Sequence, residues 1–289
     1  MSIRISIVIS TYNRLEYFKD LLESWLLVEQ PKGGYEIILA DDGSKQSPES
    51  IVSPYLDRLP IRFIRLPHRG LSATRQHAMD IAQGQYVLFT DDDCRPSPEL
   101  LRHYEQALEV SPNHAMGGPV VNLLTDNIYS ETTQAIMTYI TDTWNSSGKG
   151  ASFFTASNLL FPREKLMELG GFDPTWQGTG EDRDLCRRWC EHGLPMSVMP
   201  LAVVGHAHRL DFRSFLRQHF NYGRGRWFCE KRRTKQNAGP PDWSGLPFYL
   251  KLLIYPLGRF PFFKALAMCW LSTCSQLATA AGYYTTKYF

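Results

Sequence analysis

GQYVLFTDDDCRP, residues 84–96, sets an apolar β-branched and aromatic run directly against three carboxylates. Gly84 stops whatever precedes it, YVLFT has strand composition, and Asp91-Asp92-Asp93 ends the strand in a loop before Pro98 opens a helix. The same grammar recurs upstream. IRISIVI (3–9) runs into Ser10-Thr11-Tyr12-Asn13, YEIILA (35–40) into Asp41-Asp42-Gly43-Ser44, and IRFIRL (61–66) is a further strand. Between them, Leu15, Phe18, Leu21, Leu22, Trp25 and Leu26 recur at helical spacing over 14–28. Helices are also expected over Ser47–Leu56, broken near Pro54, and over Gly70–Gln83. Strand–helix alternation over the first 110 residues predicts an α/β fold with a mostly parallel sheet flanked by helices. Ligands of such sheets bind outside the carboxyl ends of the strands, so the three polar clusters are expected at one edge. No GxGxxG follows the first strand, which argues against a dinucleotide-binding oxidoreductase.

Beyond residue 110 the pattern changes. Strands are expected near 115–123 and 153–161, helices near 163–169 and 182–192, and a basic helix over 211–235 broken at Gly223 and Gly225. The expected organisation is a catalytic domain over 1–205, with a nucleotide-binding half (1–110) and an acceptor half (111–205). A helical extension over 206–289 follows.

The 289 residues carry a net charge of +2, distributed unevenly. Residues 206–235 hold nine Lys/Arg against Asp211 and Glu230, a block suited to phosphates or an anionic surface. Residues 246–289 contain no acid and eleven aromatics, a composition that suits a membrane interface or helices packed on the catalytic domain. Aromatic and basic residues are not interleaved as in a nucleic-acid module, so no nucleic acid is expected. An oligomer is open. The six cysteines show neither CxxC nor zinc spacing and are expected as reduced thiols. No run of 18 apolar residues and no charged leader region is present, which predicts a cytoplasmic protein, with peripheral contact at the membrane's cytoplasmic face through 246–289.

Three adjacent carboxylates repel one another, which a structure tolerates best when a cation neutralises them. Few-ligand carboxylate sites suit Mg²⁺ or Mn²⁺ holding a diphosphate, and helix capping is the alternative role. Asp41-Asp42-Gly43-Ser44 reads as a turn or as a ligand loop. Glu181-Asp182 opens a helix after Gly178-Thr179-Gly180, where acids complement the helix dipole or where one serves as a general base for an acceptor hydroxyl.

SIVISTYNR (6–14), ADDGS (40–44), GLSATRQHAM (70–79), GQYVLFTDDDCRP (84–96) and ASNLLFPREKLMELGGFDPTWQGTGEDRDLCRR (156–188) together, in this order, resemble the family 2 glycosyltransferases of GT-A fold. The resemblance implies an inverting, metal-dependent transfer of one sugar from a nucleoside-diphosphate sugar, UDP favoured, to a glycan or lipid-linked acceptor hydroxyl. Polysaccharide biosynthesis is the implied setting. It implies that Ser10 and Tyr12 line the nucleotide pocket, that Asp42 accepts from the base imide, and that Arg75 lies near the base or diphosphate. Asp91 and Asp93 match the family's DxD pair. Asp93 is implied on the metal, Asp91 on the ribose or metal-bound water, and Asp92 beside them on the nucleotide sugar. Asp182 matches the catalytic base, with Glu181 as neighbour or substitute. His206 matches a histidine that approaches the metal or the diphosphate, with His208 as its competitor. The QxxRW motif and membrane spans of processive synthases are absent, which argues for transfer of a single sugar. A catalytically inactive relative and a sugar-phosphate nucleotidyltransferase are the alternatives. The second is disfavoured because STYNR is not a Gly-rich, basic nucleotide loop.

Overall fold

The computed structural model describes residues 3–146, 150–176, 178–235 and 245–288. The chain divides into two compact units, Met1–Val121 with Asn145–Trp176 and Glu181–Ala207, and Asn122–Trp144 with Gln177–Gly180 and His208–Phe289.

The first unit begins with β1 (Ile5–Thr11), α1 (Phe18–Leu26), β2 (Tyr35–Asp41), α2 (Glu49–Val52), β3 (Ile61–Arg65), α3 (Leu71–Asp80) and β4 (Tyr86–Asp91). Then come β5 (Cys94–Pro96), α4 (Leu100–Val110), β6 (Ala115–Gly117) and β7 (Val120–Asn122). After α5 (Ile128–Asn145) follow β8 (Leu159–Pro162), α6 (Arg163–Glu168), α7 (Glu181–Glu191), β9 (Met196–Val198) and β10 (Val204–His206).

A seven-stranded sheet runs in the order β3-β2-β1-β4-β8-β6-β9. The four strands β3, β2, β1 and β4 are parallel, and β8 is antiparallel to both β4 and β6. Every residue of β1 and β2 is buried, which is why both read as mainly apolar runs rather than as alternating strands, and their polar members Ser6 and Glu36 bond to each other. Ile5, Ile7 and Ile9 pack with Phe18, Leu21, Leu22 and Trp25 of α1, the helical stripe seen in the sequence.

Chain order places β2 and β3 on one side of β1 and β4 on the other, so β1 and β4 border the switch point where such sheets open a crevice at their carboxyl ends. Register fixes what meets there: Ser10 stands opposite Ala40 and Asp91, and Thr11 opposite Asp41. A small sheet of order β5-β10-β7 follows the acidic loop, with His206 opposite Cys94.

Four expectations change. The helix over Ser47–Leu56 shrinks to α2 and a 3-10 turn at Ser53–Tyr55, because Pro54 cannot donate into a continuing α-helix. The strand near 115–123 is two strands in different sheets, parted at Gly118, where an added Cβ would lie 1.9 Å from the Ala202 carbonyl oxygen. The strand near 153–161 is confined to β8.

The fourth concerns the second unit, which holds α5 up to Trp144, α8 (Phe212–Lys235), α9 (Leu246–Ile254) and α10 (Phe262–Tyr288). The helix α8 runs unbroken through Gly223 and Gly225. These glycines serve close packing instead of interruption. A Cβ on Gly223 would sit 1.9 Å from the Thr279 carbonyl oxygen of α10, one on Gly282 of α10 equally near that of Phe220, and one on Gly225 2.1 Å from that of Thr179. Buried His219 joins the helices: Ser275 Oγ lies 2.9 Å from its Nδ1 and Thr133 Oγ1 3.3 Å from its Nε2. Burial, aided by nearby His208, pushes its pKa down to about 3. No described helix is long and apolar enough to cross a membrane. All six cysteines are free thiols.

Candidate active site

The carboxyl ends of β1, β2 and β4 gather the residues singled out in the sequence. Asp42 is buried, and its carboxylate accepts from the backbone N–H groups of Arg69 (2.8 Å) and Gly70 (3.0 Å), while His68 Nδ1 lies 2.8 Å from Oδ2. The Tyr12 ring is 40% exposed and stacks on His68, centroids 4.1 Å apart and planes 13° apart. Together they present a flat aromatic ledge above a carboxylate. Gly43, at φ +75°, makes the turn that brings Asp42 under this ledge, and a Cβ there would lie 2.8 Å from the His68 backbone nitrogen. Ser10 lies beneath, its Oγ buried with no hydrogen-bond partner among the described residues.

The three aspartates after β4 point to different partners. Asp91 accepts from Ser157 Oγ at 2.6 Å and pairs with Arg75 at 2.5 Å, and its side chain is the most accessible of the three. Asp92 turns inward, accepting from Thr11 Oγ1 at 2.7 Å and pairing with Arg14 at 3.0 Å. Burial, with Arg14 opposing it, pushes Asp92 up to about 7. Asp93 is buried, pairs with Arg14 and lies 3.1 Å from His206 Nε2. Burial works against its ionisation, but the charges and hydrogen bonds of His206 and Arg14 outweigh that and hold Asp93 well below the usual carboxylate range. His206 is correspondingly raised, burial being outweighed by Asp93.

Arg75, 3% exposed, is the hinge of the site. Its guanidinium bridges Asp91 at the end of β4 and Glu181 at the start of α7, and lies over the Phe172 ring. Arg75, expected near the base or diphosphate, pairs with these two carboxylates. Burial raises Glu181 to about 7 against the pull of Arg75. Neighbouring Asp182 is less buried than Glu181. Its carboxylate accepts from the backbone N–H groups of Ala156 (3.2 Å) and Arg183 (2.7 Å). Burial raises its pKa too, with Arg75 and these two N–H groups opposing.

Four carboxyls thus share two guanidinium groups, Arg14 and Arg75. Such a cluster has room for a dication electrostatically. Ligand atoms of Asp91, Asp93 and Cys94 lie within 4.8 Å of one another. The Cys94 thiol is fully buried and pushed well above its usual range, so the usable donors are the two carboxylates, with His206 beside Asp93. Carboxylate oxygens of Asp91 and Asp93 are donors of the kind a Mn²⁺- or Mg²⁺-type ion takes, and His206 stands beside Asp93. His208 belongs to the second unit, where its carbonyl accepts from Ser130 Oγ at 2.6 Å.

Arg14 and His68 had no role in the sequence argument. Arg14 stood inside the SIVISTYNR motif, and its charge three residues beyond a strand end was a usable signal. His68 had none, because its stacking on Tyr12 exists only once β1 and the loop after β3 meet.

The Glycosyl transferase family 2 model matches residues 6–170. Chondroitin synthase of Escherichia coli is 28% identical over 236 residues, 70% of this chain and 34% of that protein. The chain spans between about a fifth and two fifths of the length of the first curated relatives it matches. Mannosyltransferase PcManGT from Pyrobaculum calidifontis, solved in complex with GDP-Man and Mn²⁺, superposes with a TM-score of 0.63 at 17% identity over 98% of this chain and 83% of that one. TarS 1-349 of S. aureus, solved with UDP-GlcNAc, gives 0.58 at 15% identity over 99% and 90%. At these identities the likeness establishes the GT-A fold. The matched stretch runs from β1 past α6 and so carries the ledge, Asp42, Arg75 and the acidic loop: the chain belongs to glycosyl transferase family 2.

Proposed function

We propose that this protein transfers a single sugar from a nucleoside-diphosphate sugar, UDP favoured, to a hydroxyl of a glycan or lipid-linked acceptor, with inversion at the anomeric carbon. The observation that supports the reading best is the joining of Asp91 and Glu181, the neighbour of Asp182, through buried Arg75 at the switch point of the sheet. It ties the acidic loop to the first turn of the helix that bears the candidate base, Asp182.

Tyr12 receives the base on its exposed face, and Asp42 accepts from a base imide N–H. Asp91, Asp93 and His206 would hold the divalent cation, Mn²⁺ or Mg²⁺, which supplies charge stabilisation for the departing diphosphate. Asp92, turned inward onto Thr11 and Arg14, holds the loop in shape. Asp182 takes the acceptor's proton as the hydroxyl oxygen bonds to the anomeric carbon. The bond from that carbon to the diphosphate oxygen breaks in the same step, so a single displacement inverts the centre. Glu181, neutralised by Arg75, orients the first turn of α7.

The test is Asp182→Asn. Nucleoside diphosphates and nucleotide sugars, with and without Mn²⁺, are screened by thermal shift on wild type and variant. The expected result is Mn²⁺-dependent stabilisation by a UDP-sugar in both proteins, with turnover in the variant reduced by about 10²–10⁴-fold. Near-normal turnover of Asp182→Asn would remove the base assignment.

A further inference from the structure

The second unit carries a surface that sugar transfer does not use. Along α10, Phe263, Leu266, Trp270, Leu277, Tyr284 and Tyr288 are all exposed, from 46% for Leu266 to 84% for Phe263. Their spacing is three, four or seven residues, so they form one stripe along a 27-residue helix. That is roughly 40 Å of apolar and aromatic surface. The opposite face, with Ala265, Met268, Ser272, Ser275 and Gly282, is the buried one. Trp270 stacks on Phe212, and Tyr284 is parallel to Tyr288 at 6.3 Å, so the rings are held in place rather than loose.

Charge decides what covers the stripe. Residues 208–289 hold thirteen lysines and arginines against Asp211, Glu230 and Asp242, and none of the acids lies in 246–289. On α8, Arg213, Arg217, Arg224 and Lys231 are exposed and recur at four- and seven-residue spacing, a basic stripe along one helix face. Lys251, Arg259 and Lys287 add exposed cations on and beside α9 and α10. A second copy of this chain would bring equal positive charge to the contact. An anionic bilayer supplies both things the unit lacks, negative charge and apolar depth. Phe, Trp and Tyr are also the side chains that settle at the headgroup level.

We infer that α10 lies in the surface plane of an anionic lipid bilayer, its aromatic stripe inserted and the basic side chains of the unit on the headgroups.

The full chain is incubated with phosphatidylcholine vesicles and with vesicles containing phosphatidylglycerol, and bound protein is separated by flotation. Binding to the anionic vesicles alone is expected, and Trp270→Glu/Leu277→Glu should weaken it by at least about tenfold. Circular dichroism melting checks that the variant is folded. If it is not, Phe263→Ser, at the most exposed position of the stripe, takes its place with the same expectation. Unaltered binding by the folded variants, or no vesicle binding by the wild type, overturns the inference. So does light scattering that finds a dimer which the same substitutions convert to monomer. No nucleotide sugar enters the assay, so its outcome is independent of the transfer reaction.

Discussion

Replacing Arg75 by methionine keeps an unbranched apolar stem and removes the guanidinium. Arg75 is 3% exposed and is shared by Asp91 and Glu181, both drawn from distant parts of the chain. Removing one partner of a buried ion pair costs about 3–5 kcal/mol, because the remaining charge stays buried and unpaired. Asp91 escapes part of this through Ser157 and its accessible edge. Glu181 escapes only by taking up a proton. Its folded pKa is already about 7 with Arg75 in place, and Arg75 is what holds it from rising further. The unfolded value is near 4.3. A carboxyl raised on folding binds more protons folded than unfolded, so it favours the fold at low pH and opposes it as pH climbs through the folded pKa. Without Arg75 that opposition extends above pH 7, by about 1.4 kcal/mol for each unit of further rise. The expected loss for Arg75→Met is therefore about 3 kcal/mol at pH 8.5 and smaller at pH 6. At the higher pH this lowers the melting midpoint by about 6–12 °C. Urea unfolding at both pH values, followed by circular dichroism, measures it. Adding Glu181→Gln should restore most of the difference at pH 8.5. A loss under about 1 kcal/mol, one equal at both pH values, or no recovery in the double variant would refute the bridge.

Gly223→Ala should lower stability, although alanine in a helix interior normally gains about 1 kcal/mol over glycine. Its Cβ would meet the Thr279 carbonyl oxygen at 1.9 Å, an overpacking penalty of about 1–3 kcal/mol or more, and a raised melting midpoint would refute the close crossing. His219 should make the protein acid-sensitive. Its folded pKa, about 3, lies below the unfolded value near 6.5, so the stability it contributes above pH 6.5 is lost as pH falls toward 3, by about 2 kcal/mol at pH 5. His219→Gln should flatten that slope in pH-dependent urea titrations, and an unchanged slope would remove the assignment.

Much of the site was legible because strand ends punctuate themselves. β1, β2 and β4 are buried on both faces, so each shows as a mainly apolar run, broken only by Ser6 and Glu36, and the polar cluster after each run stands at the sheet edge. That is why Tyr12, Asp42 and Asp91–Asp93 could be named before any coordinate. The stripe of α1 was legible for the same local reason, since Phe18, Leu21, Leu22 and Trp25 repeat with the period of the helix itself.

Long-range pairing was not legible. Arg75 and Glu181 are 106 positions apart, and nothing local to either announces the other. The chain's own pattern likewise gave Asp91, Asp92 and Asp93 one shared character, whereas the fold gives them three. Asp91 faces Arg75, Asp92 turns onto Thr11, and Asp93 meets His206. In α8 the local rule pointed the wrong way. Glycine disfavours a helix interior, but Gly223 and Gly225 are there because backbone from α10 and from Thr179 comes too near for any side chain. Sequence by itself determined the parallel sheet, its order of elements and the edge where carboxylates collect, all set by hydrophobic period and by turn residues over short spans. Tertiary structure alone decided how the three aspartates of the acidic loop divide their partners, because each partner arrives on a different segment and only packing brings it within reach.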